Sequence, residues 1–212
     1  MAKLTREERK ERKVLAKTTA AILKTSARSS KWRVARDSLF KDHKGWFIEV
    51  QATISGSERK TTVAARIKPM ALDPVFWDIA GTPENAKSPL SFRAFGAWVC
   101  GAPTVAEEGI DEGDRSAETI AAKVIAWADA QMNLPLLTAD SEAYLDFLRT
   151  KGNGYFASHI TMQCLMGRFE EARALCQAAI ARDDSGGFMQ LVGGNLIGFP
   201  TMVINWLERN GH

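Results

Sequence analysis

Between residues 45 and 55 apolar and polar side chains alternate, with Trp46, Ile48, Val50, Ala52 and Ile54 on one face and Glu49, Gln51 and Thr53 on the other. A period of two predicts a half-buried strand. Residues 60–68 alternate again with Thr61, Val63, Ala65 and Ile67 inward, and Ser55-Gly56-Ser57-Glu58 supplies the turn of a hairpin. Pro69 ends the second strand, and Asp73-Pro74 predicts an N-cap and a first helical proline for a short helix over residues 74–79. Residues 82–89 have loop composition. Residues 91–100 put Phe92, Ala94, Gly96 and Trp98 on one face and Arg93, Phe95, Ala97 and Val99 on the other, which predicts a strand covered on both sides.

Past an expected acidic loop at residues 107–114 the period lengthens to that of a helix. Ser116 is placed to cap a helix running to about Met132 with the stripe Ile120, Val124, Trp127 and Ala128. Asp140 is placed to cap another, carrying Tyr144, Leu145 and Leu148. Two more are expected on either side of Gly167. A last one starts near Pro200 and carries Met202, Val203, Trp206 and Leu207.

At the other end, residues 5–27 read as a helix of two unlike halves. From Thr5 to Lys13 nearly every position is charged, Glu8 stands four residues before Arg12 as a stabilising pair, and the expectation is a solvated half. Leu15, Ile22 and Leu23 then return at helical spacing, which predicts anchoring at the C-terminal end only, with a linker or turn at residues 25–31. The fold class expected is α+β: an antiparallel sheet of at least three strands with an N-terminal basic helix and a C-terminal helical half. Its segments are a basic helical arm and linker (1–31), the sheet with a short helix (32–115), and a helical region packed on or beside the sheet (116–212).

Charge changes this picture more than composition does. Residues 1–44 carry fourteen Lys and Arg against five Asp and Glu, while residues 45–212 carry fourteen against twenty, so the overall +3 hides a strongly polar chain. A separable block of positive charge points to nucleic acid, an anionic surface or an acidic partner. Lys3, Arg6, Arg9, Lys10, Arg12, Lys13 and Lys17 form the candidate contact, with Lys31, Arg33 and Arg36 around Trp32 as a second one. No apolar run approaches the roughly 20 residues of a membrane span. The basic start lacks a secretory apolar region and carries Glu7, Glu8 and Glu11, so the expected location is cytoplasmic. Cys100, Cys164 and Cys176 lack a paired spacing and are expected as buried free thiols.

Residues 167–184, Gly-Arg-Phe-Glu-Glu-Ala-Arg-Ala-Leu-Cys-Gln-Ala-Ala-Ile-Ala-Arg-Asp-Asp, resemble the second half of a tetratricopeptide repeat. Gly167 stands at the turn between helices, Phe169 at the packed aromatic, Ala172 at the close approach, and Ala179 and Ile180 at the buried end. Phe169, Leu175, Cys176, Ala179 and Ile180 form one stripe, and residues 155–166 supply the first helix. The resemblance covers residues 155–184 and implies a helical hairpin inside a mixed domain. Arrays of such repeats bind peptides or proteins.

The remaining candidates carry little chemistry. His43 between Asp42 and Lys44 reads as a solvated turn, His159 as a packed helical residue, and residues 107–114 depart from the calcium-loop order. Gly152-Asn-Gly154 and Gly193-Gly194 read as helix punctuation without the context of a phosphate loop. Trp32 is expected to close the sheet's edge; stacking on a base is its alternative role. No catalytic residue, cofactor or metal ligand is assigned. The leading expectation is a non-catalytic interaction protein, an adaptor or accessory with a protein partner. The alternative is nucleic-acid binding through the basic helix, and an enzyme with a motif-free pocket stands third.

Overall fold

The computed structural model describes residues 4–55, 60–96, 99–112 and 116–212. In chain order the elements are α1 (Arg6–Ser26), β1 (Arg33–Ala35), β2 (Ser38–His43), β3 (Trp46–Ile54), β4 (Thr61–Pro69), α2 (Leu72–Ile79), α3 (Phe92–Phe95), β5 (Thr104–Ile110), α4 (Ala117–Ala130), α5 (Ser141–Thr150), α6 (Phe156–Leu165), α7 (Phe169–Ile180), β6 (Met189–Val192), β7 (Asn195–Gly198) and α8 (Phe199–Arg209), with short 3-10 turns between some of them. The fold is α+β. It divides into two units, the first built from residues up to 67 with residues 104–137, the second from residues 68–103 with residues 138–212. The basic helix and α4 thus belong with the sheet in one unit, a division that cuts across the three expected segments.

In the first unit, β1 to β5 form an antiparallel sheet in sequence order. The alternation reads true in β4, where Thr61, Val63, Ala65 and Ile67 are all buried. In β3, Trp46, Ile48, Val50 and Ala52 are buried as expected, but Phe47 and Glu49 are buried too, so the start of this strand is covered on both faces. Phe47 stacks on Phe40 of β2, and Glu49 accepts a hydrogen bond from Ser38 Oγ at 2.8 Å. The β2–β3 connection is two residues, Lys44 and Gly45, both at positive φ (52° and 83°). That geometry matches the twist of the flanking strands and favours glycine. The turn expected at residues 55–58 lies largely outside the described residues.

Residues 107–110, expected in a loop, are the end of β5. Glu107 and Glu108 sit opposite Ala64 and Val63. The unpaired edge of β4 needs a partner for its N–H and C=O groups, and charged side chains suit an edge strand, so sheet pairing overrides loop composition here.

Helix α1 is held along its length, not only at its C-terminal end. Leu4, Arg12, Thr19 and Leu23 are buried, and α1 packs on α4. Glu8 does not pair with Arg12. It closes a capping box, its carboxylate accepting from the Thr5 N–H at 2.8 Å while Thr5 Oγ1 accepts from the Glu8 N–H. Arg12 turns inward instead. Its Nη1 and Nη2 donate to both Glu112 oxygens at 2.5 and 2.8 Å, its Nε to Ser55 O at 3.0 Å, and Nη2 also to Lys60 O at 2.9 Å. Thr61 Oγ1 donates to the same Glu112 at 2.6 Å. One guanidinium therefore ties α1 to both sides of the β3–β4 turn and to the segment after β5.

In the second unit α6 is central, with Ser158, Ile160, Thr161, Met162, Gln163 and Cys164 buried around its circumference. Helices α2, α5 and α7 contact it. The caps expected from Ser116 in the first unit and Asp140 here both form, and the α5 and α8 stripes are buried as read. Three expectations fail. Residues 92–95 are a helical turn, because Arg93 turns inward to bond Met70 O and Asp73 Oδ2, each at 2.9 Å; Ala97 and Trp98 of the expected strand lie outside the described residues. Asp73 does not cap α2, which starts at Leu72. Gly193 and Gly194, both at positive φ, are the two-residue turn of the β6–β7 hairpin. Gly186 also requires glycine: its φ is +67°, and a Cβ there would lie 2.8 Å from the Phe156 ring.

Asp73 is instead the centre of a buried cluster. Lys68, fully buried, donates to Asp73 Oδ1 at 2.8 Å, Cys100 O at 2.7 Å and Arg93 O at 3.2 Å. Asp73 also accepts from the Cys100 N–H at 3.0 Å. The ammonium has three acceptors for three protons, so its charge is matched in place. Beside it, burial first and Asp73 second push the Cys100 thiol up to about 12. Cys164 and Cys176 are buried and pushed up to about 12 as well, chiefly by burial.

Two outcomes test these networks. Arg12→Met alone leaves Glu112 charged and buried and is expected to cost about 3–5 kcal/mol of stability, while adding Glu112→Leu recovers most of that cost. Urea unfolding of the wild type and the three variants measures this as a double-mutant cycle. In native protein at pH 8, a thiol-reactive dye should label none of the three cysteines at a rate above global unfolding, and all three after denaturation.

Candidate functional site

Seven cations of the N-terminal segment lie on α1, and the helix sorts them. At about 100° per residue, Arg6, Arg9, Lys10, Lys13, Lys17 and Lys24 fall within about 100° of one another, and all six are exposed. The buried residues Arg12, Thr19 and Leu23 form a separate face, centred about 120° around the helix from the stripe. Glu7, Glu8 and Glu11 fall on the flank between, so in space they do not interrupt the cations as they do in sequence. From Arg6 to Lys24 the stripe is about 27 Å long at 1.5 Å per residue. It is lightly engaged: Lys10 meets Glu7 at 3.6 Å with both side chains largely in solvent, a contact worth little, and Arg9 Nε donates to Leu4 O at 3.2 Å.

The expected contact residues thus separate. Arg6, Arg9, Lys10, Lys13 and Lys17 are presented together. Arg12 is withdrawn into its pair with Glu112 and cannot serve as a surface contact, and Lys3 lies outside the described residues. Lys24 belongs to the stripe and was missed, because it stands beyond the charge-dense half of the helix where only helical geometry relates it to Lys10 and Lys17. Lys31, Arg33 and Arg36 are exposed around β1, with Lys31 and Arg36 at positive φ. Trp32 between them is only 1% exposed, and its Nε1 donates to Asp129 at 2.8 Å. It is a core residue with no face for a base. Lys41 lies over its ring at 4.1 Å, and burial lowers that amine below its ordinary value, with Asp129 acting in the opposite direction.

Beside the stripe runs a groove of about 560 Å³ lined by Leu4, Val14, Leu15, Thr18 and Ala117 with Glu7 and Glu11 among its walls. Val14 is 64% exposed there. The other sequence candidates are spent on structure. Asp42 Oδ1 accepts from the Gly45 N–H at 3.2 Å across the turn, so it braces the hairpin and His43 stays at a strand end. Glu108 accepts from Trp127 Nε1 at 2.7 Å, Asp111 meets Lys123, and Glu112 holds Arg12. Among the described residues no three His, Cys, Asp or Glu side chains are placed to share a metal ion. No described helix is long and apolar enough to cross a membrane.

The chemistry open to the stripe is electrostatic. It carries no aromatic side chain, no acceptor and no nucleophile, only ammonium and guanidinium groups at one- and two-turn spacings on a helix fixed from behind. Compared with family models, with curated proteins and with solved structures, the chain has no match.

Proposed function

We propose that this chain is a non-catalytic binding protein whose contact with its partner is made by the solvent face of α1, and that the partner is a polyanion of nucleic-acid type held by its phosphates. The observation that carries the reading is the segregation of six cations onto one exposed helical face, with the three glutamates outside it and only Glu7 touching its edge. Phosphates on one strand of a duplex advance about 3.4 Å per step along the axis, so the stripe is long enough for about eight steps. An adjoining face of α1 is buried against its own unit, so the helix is read as lying along a backbone and not entering a groove. Outside the groove its arginines and lysines meet phosphates and not base edges, so binding is expected to be sequence-independent.

A second reading is an acidic protein surface in place of the phosphates, favoured by the same stripe and by its apolar neighbour Val14, which nucleic acid would leave uncovered. Both readings make α1 an integral part of the binding body.

Lys10→Glu/Lys13→Glu/Lys17→Glu changes only exposed positions, so it should melt with the wild type while its affinity for a labelled 20-base-pair duplex at 50 mM salt falls roughly a hundredfold or more. The slope of log affinity against log salt should shrink by about 0.9 for each phosphate that the variant no longer neutralises. Fluorescence anisotropy across a salt series measures both. Wild-type protein that ignores duplex and single strand at low salt would overturn the nucleic-acid reading and leave the acidic protein surface.

A further inference from the structure

The second unit carries a cleft of about 280 Å³ between α5, α6 and α7. Its walls are apolar, with Leu148 from α5, Phe156 from α6 and Leu175 from α7. Leu175 belongs to the stripe that periodicity assigns to the core, yet it is 37% exposed, an exposure explained by the cleft it faces. No lining residue is acidic. Two are permanent cations, Arg149 and Arg182, at the ends of α5 and α7. Arg182 is exposed, and its guanidinium makes no hydrogen bond or ion pair among the described residues. Arg149 pairs with Asp146 at 2.6 Å with both side chains largely in solvent, an arrangement a better-placed anion can displace.

His159 on α6 completes the lining. Its Nε2 is buried without a hydrogen-bond partner, a state native interiors rarely leave unexplained. Burial, with Arg149 second, lowers its pKa, so at neutral pH the imidazole is uncharged and the cleft's positive charge sits on the two arginines.

We propose that this cleft binds a small carboxylic acid with a compact apolar body, the carboxylate on Arg182 and Arg149 and the body against Leu148, Phe156 and Leu175. The guanidinium fork fits a carboxylate with two parallel hydrogen bonds, and the volume suits a small molecule, not a macromolecule. This site is separate from the α1 stripe and does not depend on its partner.

The test titrates full-length protein with 3-phenylpropionate, its neutral amide, and inorganic phosphate, following the Leu175 methyl and His159 ring signals by NMR. The acid should shift both sets saturably and raise the His159 pKa, because its negative charge offsets Arg149. The amide and phosphate should bind at least tenfold more weakly, one lacking the charge and the other the apolar body. Arg182→Gln, at an exposed position, should weaken the acid at least tenfold with Tm unchanged, and Arg182→Lys should recover only part. No saturable shift with the acid, equal binding of the amide, equal binding of phosphate, or an unaffected Arg182→Gln would each overturn the proposal.

Discussion

The pair between Arg12 and Glu112 fixes what the first unit can present to solvent. Arg12 sits in the most highly charged part of the chain, and a guanidinium there would ordinarily stay in water. Its guanidinium makes four hydrogen bonds, two to Glu112 and one each to Ser55 O and Lys60 O, and Thr61 adds a hydrogen bond to the same carboxylate. Burying two charges costs several kcal/mol per ion unless the geometry is good and remaining lone pairs are met, and here both conditions hold. The consequence is rotational: with Arg12 pointing in, Arg6, Lys10, Lys13 and Lys17 must point out.

The second unit uses the same device for a different end. Lys68 and Asp73 are fully buried, and with Arg93 and the Cys100 backbone they join the end of β4, the start of α2 and the irregular segment after α3. The charged cluster thus supplies directional bonds between a strand end, a helix start and an irregular segment. Neither cluster is catalytic in form. Every donor of Lys68 is matched, and the neighbouring thiol is held protonated by burial and by Asp73, which is the opposite of an activated nucleophile.

What the sequence made legible were features set by neighbours along the chain: the alternation in β3 and β4, the Ser116 and Asp140 caps, the apolar stripes of α5 and α8. What it hid were features set by distant partners. Glu112 lies 100 residues from Arg12, so nothing near either residue marks them as buried. Asp73-Pro74 has the local form of a helix cap, and Lys68 five residues before it together with Arg93 and the Cys100 N–H from farther along the chain give the aspartate other work. Strand β5 has the composition of a loop because an edge strand is permitted charges that a central one is not. In α7 the expected stripe is half right: Cys176 and Ala179 are buried, while Leu175 and Ile180 are exposed. The helical hairpin at residues 156–180 is present as geometry, and no family relationship comes with it. The candidate face was legible as a list of cations but not as a face, since Arg12 belongs to the list and Lys24 does not.

Helix α1 is an integral, pinned element of the first unit and not a loose arm, and its outer face is the proposed binding surface. Native-state hydrogen exchange of its backbone amides tests this most directly. Amides of residues 10–23 should exchange as slowly as those of β3 and β4, through global unfolding. Rapid exchange of residues 6–17 while the sheet stays protected would mean a helix frayed from the body, and would contradict the claim.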